Sequence, residues 1–102
     1  MQLTKIVYKI VGQLPKGESF GLVSQAQRAA VAIPSNIAEG KKRKTRKDFA
    51  HFLRIANGSA AELETQLLLI RDVYNEVTVS EALEMLEEVQ KMLTTMINKL
   101  ES

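Results

Sequence analysis

Apolar residues along this chain recur at spacings of three and four rather than two, which is the period of one helix face and not of a strand. Four segments carry the pattern. Leu3, Val7, Ile10 and Leu14 step by 4, 3 and 4, and Pro15-Lys16-Gly17 then signals a turn. Val23, Ala26, Ala30, Ile33 and Ile37 step by 3, 4, 3 and 4 up to Gly40, which is expected to stop the helix as a left-handed cap. Phe49, Leu53, Ala56, Ala60, Leu63, Leu67, Ile70 and Tyr74 hold the same alternation, with Thr45 and Asp48 placed ahead of them as a capping box. Ala82, Leu86, Val89, Leu93, Met96 and Leu100 form the last stripe, with Ser80 as its expected N-cap.

The pattern predicts an all-α fold and a single domain over residues 1–102. Short connections make consecutive helices antiparallel neighbours, so the expected architecture is an antiparallel up-down four-helix bundle. The connection after Gly40 then lies at one end with both chain termini. Asp72, Glu76, Glu81 and Glu84 lie around the other end. Pro34 removes a backbone donor inside the second helix and is expected to bend it, with Ser35 and Asn36 bonding the freed carbonyls. The reading of Ile33-Pro34-Ser35-Asn36 is therefore a shaped bend, not a catalytic loop.

The predicted helices differ in length. The first has about 12 residues and the third about 28, or roughly 18 and 42 Å at 1.5 Å per residue. One cannot cover the other. The third helix is also apolar outside its stripe, at Phe52, Ile55, Leu68, Leu69 and Val73, and the fourth at Leu83, Met85, Met92 and Ile97. A free monomer rarely exposes so large a patch, so this second face is expected to meet another copy of the chain. Gly58 fits that expectation. It costs roughly 1 kcal/mol in mid-helix relative to Ala, and it lets a second helix approach closely.

Charge changes the picture more than composition does. The net charge of +2 hides an asymmetry. Residues 1–60 carry eleven Lys or Arg against three acids, a net +8, and residues 61–102 carry three against nine, a net −6. Between Gly40 and Asp48, Lys41, Lys42, Arg43, Lys44, Arg46 and Lys47 are broken only by Thr45. Such a run ahead of a helix N-terminus, where free amides and partial positive charge add to it, suits phosphate. Arg28 and Arg54 are expected to extend the patch. Trp is absent, and Phe49 and Phe52 read as core, so binding would be to backbone phosphate of RNA or DNA with little reading of bases.

Chemistry beyond charge is sparse. There is no Cys, which removes disulfides and thiolate ligands. The single His51 has no recognisable partners for a Ser-His-Asp arrangement. Asp48-Phe49-Ala50-His51 resembles half of a di-iron motif, and no second His completes it. Glu62 and Glu64, two apart on a helix, point in different directions. No catalytic residue, metal site or cofactor is expected. The first 15 residues contain Lys5 and Lys9 and no apolar run long enough for a signal peptide or a membrane span, which predicts a cytoplasmic protein without membrane partners.

Longer stretches resemble a known family. Arg28-Ala29-Ala30, Ile33 through Gly40, Asp48-Phe49, Phe52-Leu53, Ile55-Ala56, Gly58-Ser59 and Glu62 through Leu67 together look like the bacterial four-helix bundle proteins encoded in intervening sequences of large-subunit ribosomal RNA genes. The resemblance spans about residues 6–100. It implies an antiparallel four-helix bundle assembling as a ring-like homopentamer, with no catalytic residues to carry over. It also implies an architecture similar to the accessory variability proteins of diversity-generating retroelements, which are basic pentamers binding nucleic acid and the element's reverse transcriptase.

The chain departs from that pattern in places. It reads as lacking the N-terminal extension, often containing Trp, that lengthens the first helix in relatives. Ala60 stands where Leu is usual, Asn57 where an apolar residue is common, and the basic run is stronger than the family's. The expected function is that of a nucleic-acid-binding homo-oligomer, possible partners including a reverse transcriptase. The alternative is a protein-interaction bundle with no nucleic-acid role.

Overall fold

The computed structural model describes residues 1–18 and 20–102. Among these the chain is helical, with no strand. The helices are α1 (Gln2–Val11), α2 (Leu22–Lys41), α3 (Arg46–Val73) and α4 (Ser80–Glu101), with a 3-10 turn at Lys16–Glu18 between α1 and α2. α2 packs on α3 and α3 on α4, while α1 packs on α2 and α4 and not on α3. The molecule is 44 Å long and 22 by 18 Å across. That long axis matches the 28 residues of α3 at 1.5 Å each, roughly 42 Å.

The stripes read from the sequence form the core. Leu53, Ala56, Ala60, Leu63, Leu67 and Ile70 of α3 have no accessible surface, and Leu3, Val7, Ala26, Ile33, Ala82, Leu86 and Leu93 are buried with them. The core has two parts. One is built by all four helices and reaches from Leu3 to Leu86. The other holds Leu53, Ala56, Leu93 and Ile97, packed by Ile37, Phe49, Val89, Met96 and Leu100, with nothing from α1. The second part exists because α1 has 10 residues and α3 has 28.

Several local expectations are corrected. Gly40 is not a left-handed cap: no described residue has positive φ, and α2 runs through it to Lys41. Its role is close approach. A Cβ there would sit 2.8 Å from Phe49 Cδ1 and 3.0 Å from Phe52 Cβ, so the end of α2 lies directly against the first turns of α3. Ser80 is not the N-cap of α4 but its first residue. The cap position is Val79, which has no side-chain acceptor and is itself buried in the core. The first helix ends at Val11, and Leu14 stays buried beyond it. Ile97, assigned to an outer face, is 8% exposed and belongs to the core.

Pro34 interrupts the hydrogen-bond ladder of α2 without ending the helix. The carbonyl it frees is that of Ala30, four residues earlier. The Thr4 hydroxyl of α1 donates to that carbonyl at 3.4 Å, while the Asn36 amide donates to Ala32 at 2.8 Å. The proline is thus served from a neighbouring helix and not by Ser35 or Asn36. Thr4→Val keeps the shape and removes the donor. It is expected to cost about 1 kcal/mol in a urea melt, whereas the same change at exposed Thr95 should cost much less.

Candidate nucleic-acid interface

Thr45 sets the geometry of the basic connection. Its backbone is extended (φ −114°, ψ 151°), and its hydroxyl accepts from the Asp48 N–H at 3.1 Å, which caps α3 as the sequence pattern predicts. Residues 41–48 are all exposed. The six cations of this run then fall into two groups.

The two arginines are engaged with the bundle. Arg43 donates to Glu39 at 2.6 Å and lies over the Phe52 ring, its Cζ 4.7 Å from the centroid. Arg46 donates to the carbonyl of Lys99 at 2.6 Å and to that of Leu100 at 3.2 Å. Those carbonyls end α4, where the helix has no partners of its own and its dipole is negative, so a guanidinium there satisfies both. The contact also puts the start of α3 against the end of α4. The side chains of Lys41, Lys42, Lys44 and Lys47 make no hydrogen bond or ion pair with the described residues, and all four are exposed.

The structure does not bring Arg28 to this run. Thirteen residues of α2 separate it from Lys41, roughly 20 Å at 1.5 Å per residue. Arg28 instead lines a cleft of about 210 Å³ between α2 and α3, together with Gln25, Ala32, Ser59, Glu62 and Gln66. Arg54 lies two turns into α3 and forms a two-point ion pair with Glu101. The Glu101 carboxylate bonded to it pushes the Arg54 pKa up, and the guanidinium in turn holds Glu101 below the usual carboxylate range. Both side chains are about half exposed, so solvent screens the pair and it adds little stability. What it does remove is a free cation. His51 is exposed, its ring edge-on to Phe52 at 5.4 Å.

Met1 does not reach the basic end. Thr4 stands beside Ala30, so α1 begins about halfway down α2, and the C-terminal end of α4 alone joins the connection there. At the opposite end the Tyr74 hydroxyl donates to Glu18, which raises the tyrosine pKa and ties the 3-10 turn to the end of α3. Phe20 beside it is 97% exposed.

The family model of the 23S rRNA-intervening sequence protein matches residues 1–95. The chain belongs to that family. Among curated proteins none matches the chain. As a 23S rRNA-intervening sequence protein it keeps the four helices expected from the resemblance. Its motif residues Gly40, Phe49 and Phe52 are those that seat the end of α2 on α3. No helix among the described residues is long and apolar enough to cross a membrane, and no group of three or more His, Cys, Asp or Glu there is placed to hold a metal ion.

Two features escaped the sequence reading. Arg46 as a cap on α4 was not legible from its own neighbourhood, since its acceptors lie 53 and 54 residues away. Gln66 was not singled out apart from the stretch that carries the family resemblance. It is 7% exposed, and its Oε1 is buried without a partner. A polar residue one position before a stripe leucine, between Leu63 and Leu67, was the available signal.

Proposed function

We propose that this protein is a non-enzymatic, cytoplasmic nucleic-acid-binding scaffold, an antiparallel up-down bundle that assembles as a ring-like homopentamer and serves as an accessory to a retroelement reverse transcriptase. The observation that carries the nucleic-acid reading is the division of the basic run. Two arginines fix the connection, and Lys41, Lys42, Lys44 and Lys47 are left unpaired around the N-terminus of a 28-residue helix. Lysine ammonium groups without partners are suited to phosphate as point charges.

Self-association is supported by the outer face of α2 and α3. Ile55, Leu69, Val73 and Val31 are 40–61% exposed. Gly58 has open space around it, and Gln66 lines the cleft beside Arg28 and Glu62. A ring then gathers the lysines of several copies at one end, so that weak contacts act together.

The test has two arms. Light scattering at micromolar concentration should give a mass several times 11.4 kDa. Binding to one DNA duplex and one structured RNA should weaken steeply with salt and depend little on sequence. A monomer removes the ring. Salt-independent or absent binding favours the protein-interaction reading, for which the fully exposed Phe20 beside the Glu18 and Tyr74 contact is the supporting observation.

A further inference from the structure

We infer that the basic connection takes single-stranded nucleic acid and stacks unpaired bases on Arg43 and His51, an inference that rests on nucleic-acid binding at this end of the molecule. Phe52 is the centre of the arrangement. The sequence places it in the core, yet it is half-buried and is not among the residues of either core part. Its Cβ lies 3.0 Å from where a side chain on Gly40 would begin. Its ring carries the Arg43 guanidinium, with Cζ 4.7 Å from the centroid, and meets the His51 ring edge-on at 5.4 Å. Three side chains with flat groups thus gather where α2 gives way to α3.

Arg43 and the lysines of the run offer a nucleic acid different things. The lysines are exposed point charges without partners among the described residues, which suits phosphate. The charge of Arg43 is already met by Glu39, whose carboxylate accepts from it at 2.6 Å, and a phosphate drawn to Arg43 would meet that carboxylate. What Arg43 still offers is its outer surface. Phe52 lies beneath it, yet the side chain is 42% exposed and makes no further hydrogen bond or ring contact among the described residues. A guanidinium is planar and weakly hydrated, so one held by a carboxylate and a ring is a fixed platform on which an uncharged base can stack. His51 adds a second platform. It is exposed and lies one helical turn beyond Lys47 on α3, which keeps a free ammonium beside a base over the imidazole. Lys44 adjoins Arg43 in the same way.

Stacking selects the strand. In a duplex the faces of the bases are covered by their neighbours, and a protein that does not enter a groove meets only phosphate and sugar. In a single strand the faces are available to aromatic rings and to guanidinium planes. Each stacked base then adds binding that phosphate contacts do not supply, and it does so with little regard to sequence, because every base has a π-face. The low sequence dependence of the connection is kept, and a preference for unpaired bases is added to it.

The test compares two labelled oligomers of about 12 nucleotides that carry the same phosphates, an oligothymidylate and an abasic strand of equal length. At one salt concentration the whole chain is expected to bind the oligothymidylate at least about tenfold more tightly, with similar salt slopes for the two. Arg43→Lys keeps the positive charge beside Glu39 and removes the planar face. It should lower that preference about threefold or more. His51→Ala, at an exposed helical position, should lower it as well and is expected to keep the fold, so the outcome does not hang on the stability of the arginine variant. The chain has a single histidine, so its ring protons report on this place directly. Their NMR signals should move upfield under the ring current of a stacked base with the oligothymidylate, and should not do so with the abasic strand. Equal affinity for the two oligomers would overturn the stacking and leave the phosphate contacts standing. An undiminished preference in both variants, or histidine signals that respond alike to both oligomers, would put the bases elsewhere and overturn it too. Failure to bind either oligomer would end the nucleic-acid reading itself, and this inference with it.

Discussion

Replacing Lys41, Lys42, Lys44 and Lys47 by Gln is expected to remove most of the nucleic-acid affinity and leave the fold intact. Each phosphate neutralised on duplex DNA contributes about 0.9 to the slope of log affinity against log salt, and about 0.7 on a single strand. Four lost contacts in one protomer should flatten the duplex slope by about 3.6, which at 0.1 M salt is as much as about 10³-fold in affinity. Unrelated sequences should lose about equally, because phosphate contacts carry no base information. Stability should hold or rise slightly, since the four side chains have no partners and repel one another.

Arg43→Gln and Arg46→Gln form the opposing pair of variants. They break the contacts to Glu39, Phe52 and the end of α4, so their melting temperature should fall while the salt slope changes little. A quadruple lysine variant with the wild-type slope would end the nucleic-acid reading of this connection.

The second large effect concerns the two helical glycines, which should respond with opposite signs. Gly40→Val drives a branched side chain into Phe49 and Phe52, where even a Cβ would meet atoms at 2.8 and 3.0 Å. The nearer obstacles are a ring and the Cβ of a residue fixed in α3, so little can give. Overpacking of this kind costs about 1–3 kcal/mol. That lowers the melting temperature by roughly 4–8 °C per kcal/mol in a domain of this size. Gly58→Ala has open space and replaces the poorest helix former short of proline with the best, so the isolated chain should gain about 1 kcal/mol. If Gly58 faces a second copy, the gain disappears and light scattering shows a smaller mass. A Gly40→Val protein that melts with the wild type would mean that α2 and α3 do not meet as described.

Much of this molecule was legible in its sequence for a simple reason. Helix periodicity is local, and Leu53, Ala56, Ala60, Leu63, Leu67 and Ile70 declare their shared face by spacing alone. The Thr45 cap is equally local, since donor and acceptor lie three residues apart. Charge runs are read directly, so the basic connection was visible as charge. Its internal division was not. The lysines and arginines of residues 41–47 look alike until the end of α4 and the face of Phe52 are brought beside them. Arg28 and Arg54 were expected to join the patch because they are basic and near in sequence. Helix rise carries the first away along α2, and Glu101 engages the second.

The sequence by itself determined four amphipathic helices, their order, the family they belong to and the place where positive charge collects. Each of these follows from spacing, composition or motif within a few turns of chain. Tertiary structure alone decided which residues serve those helices from a distance. Thr4 takes the carbonyl that Pro34 frees, Gly40 admits Phe49 and Phe52, and Arg46 closes α4. The physical reason is that hydrogen-bond completion and close packing depend on which surfaces meet across tens of residues, and an apolar stripe specifies that a face is buried without naming what will cover it.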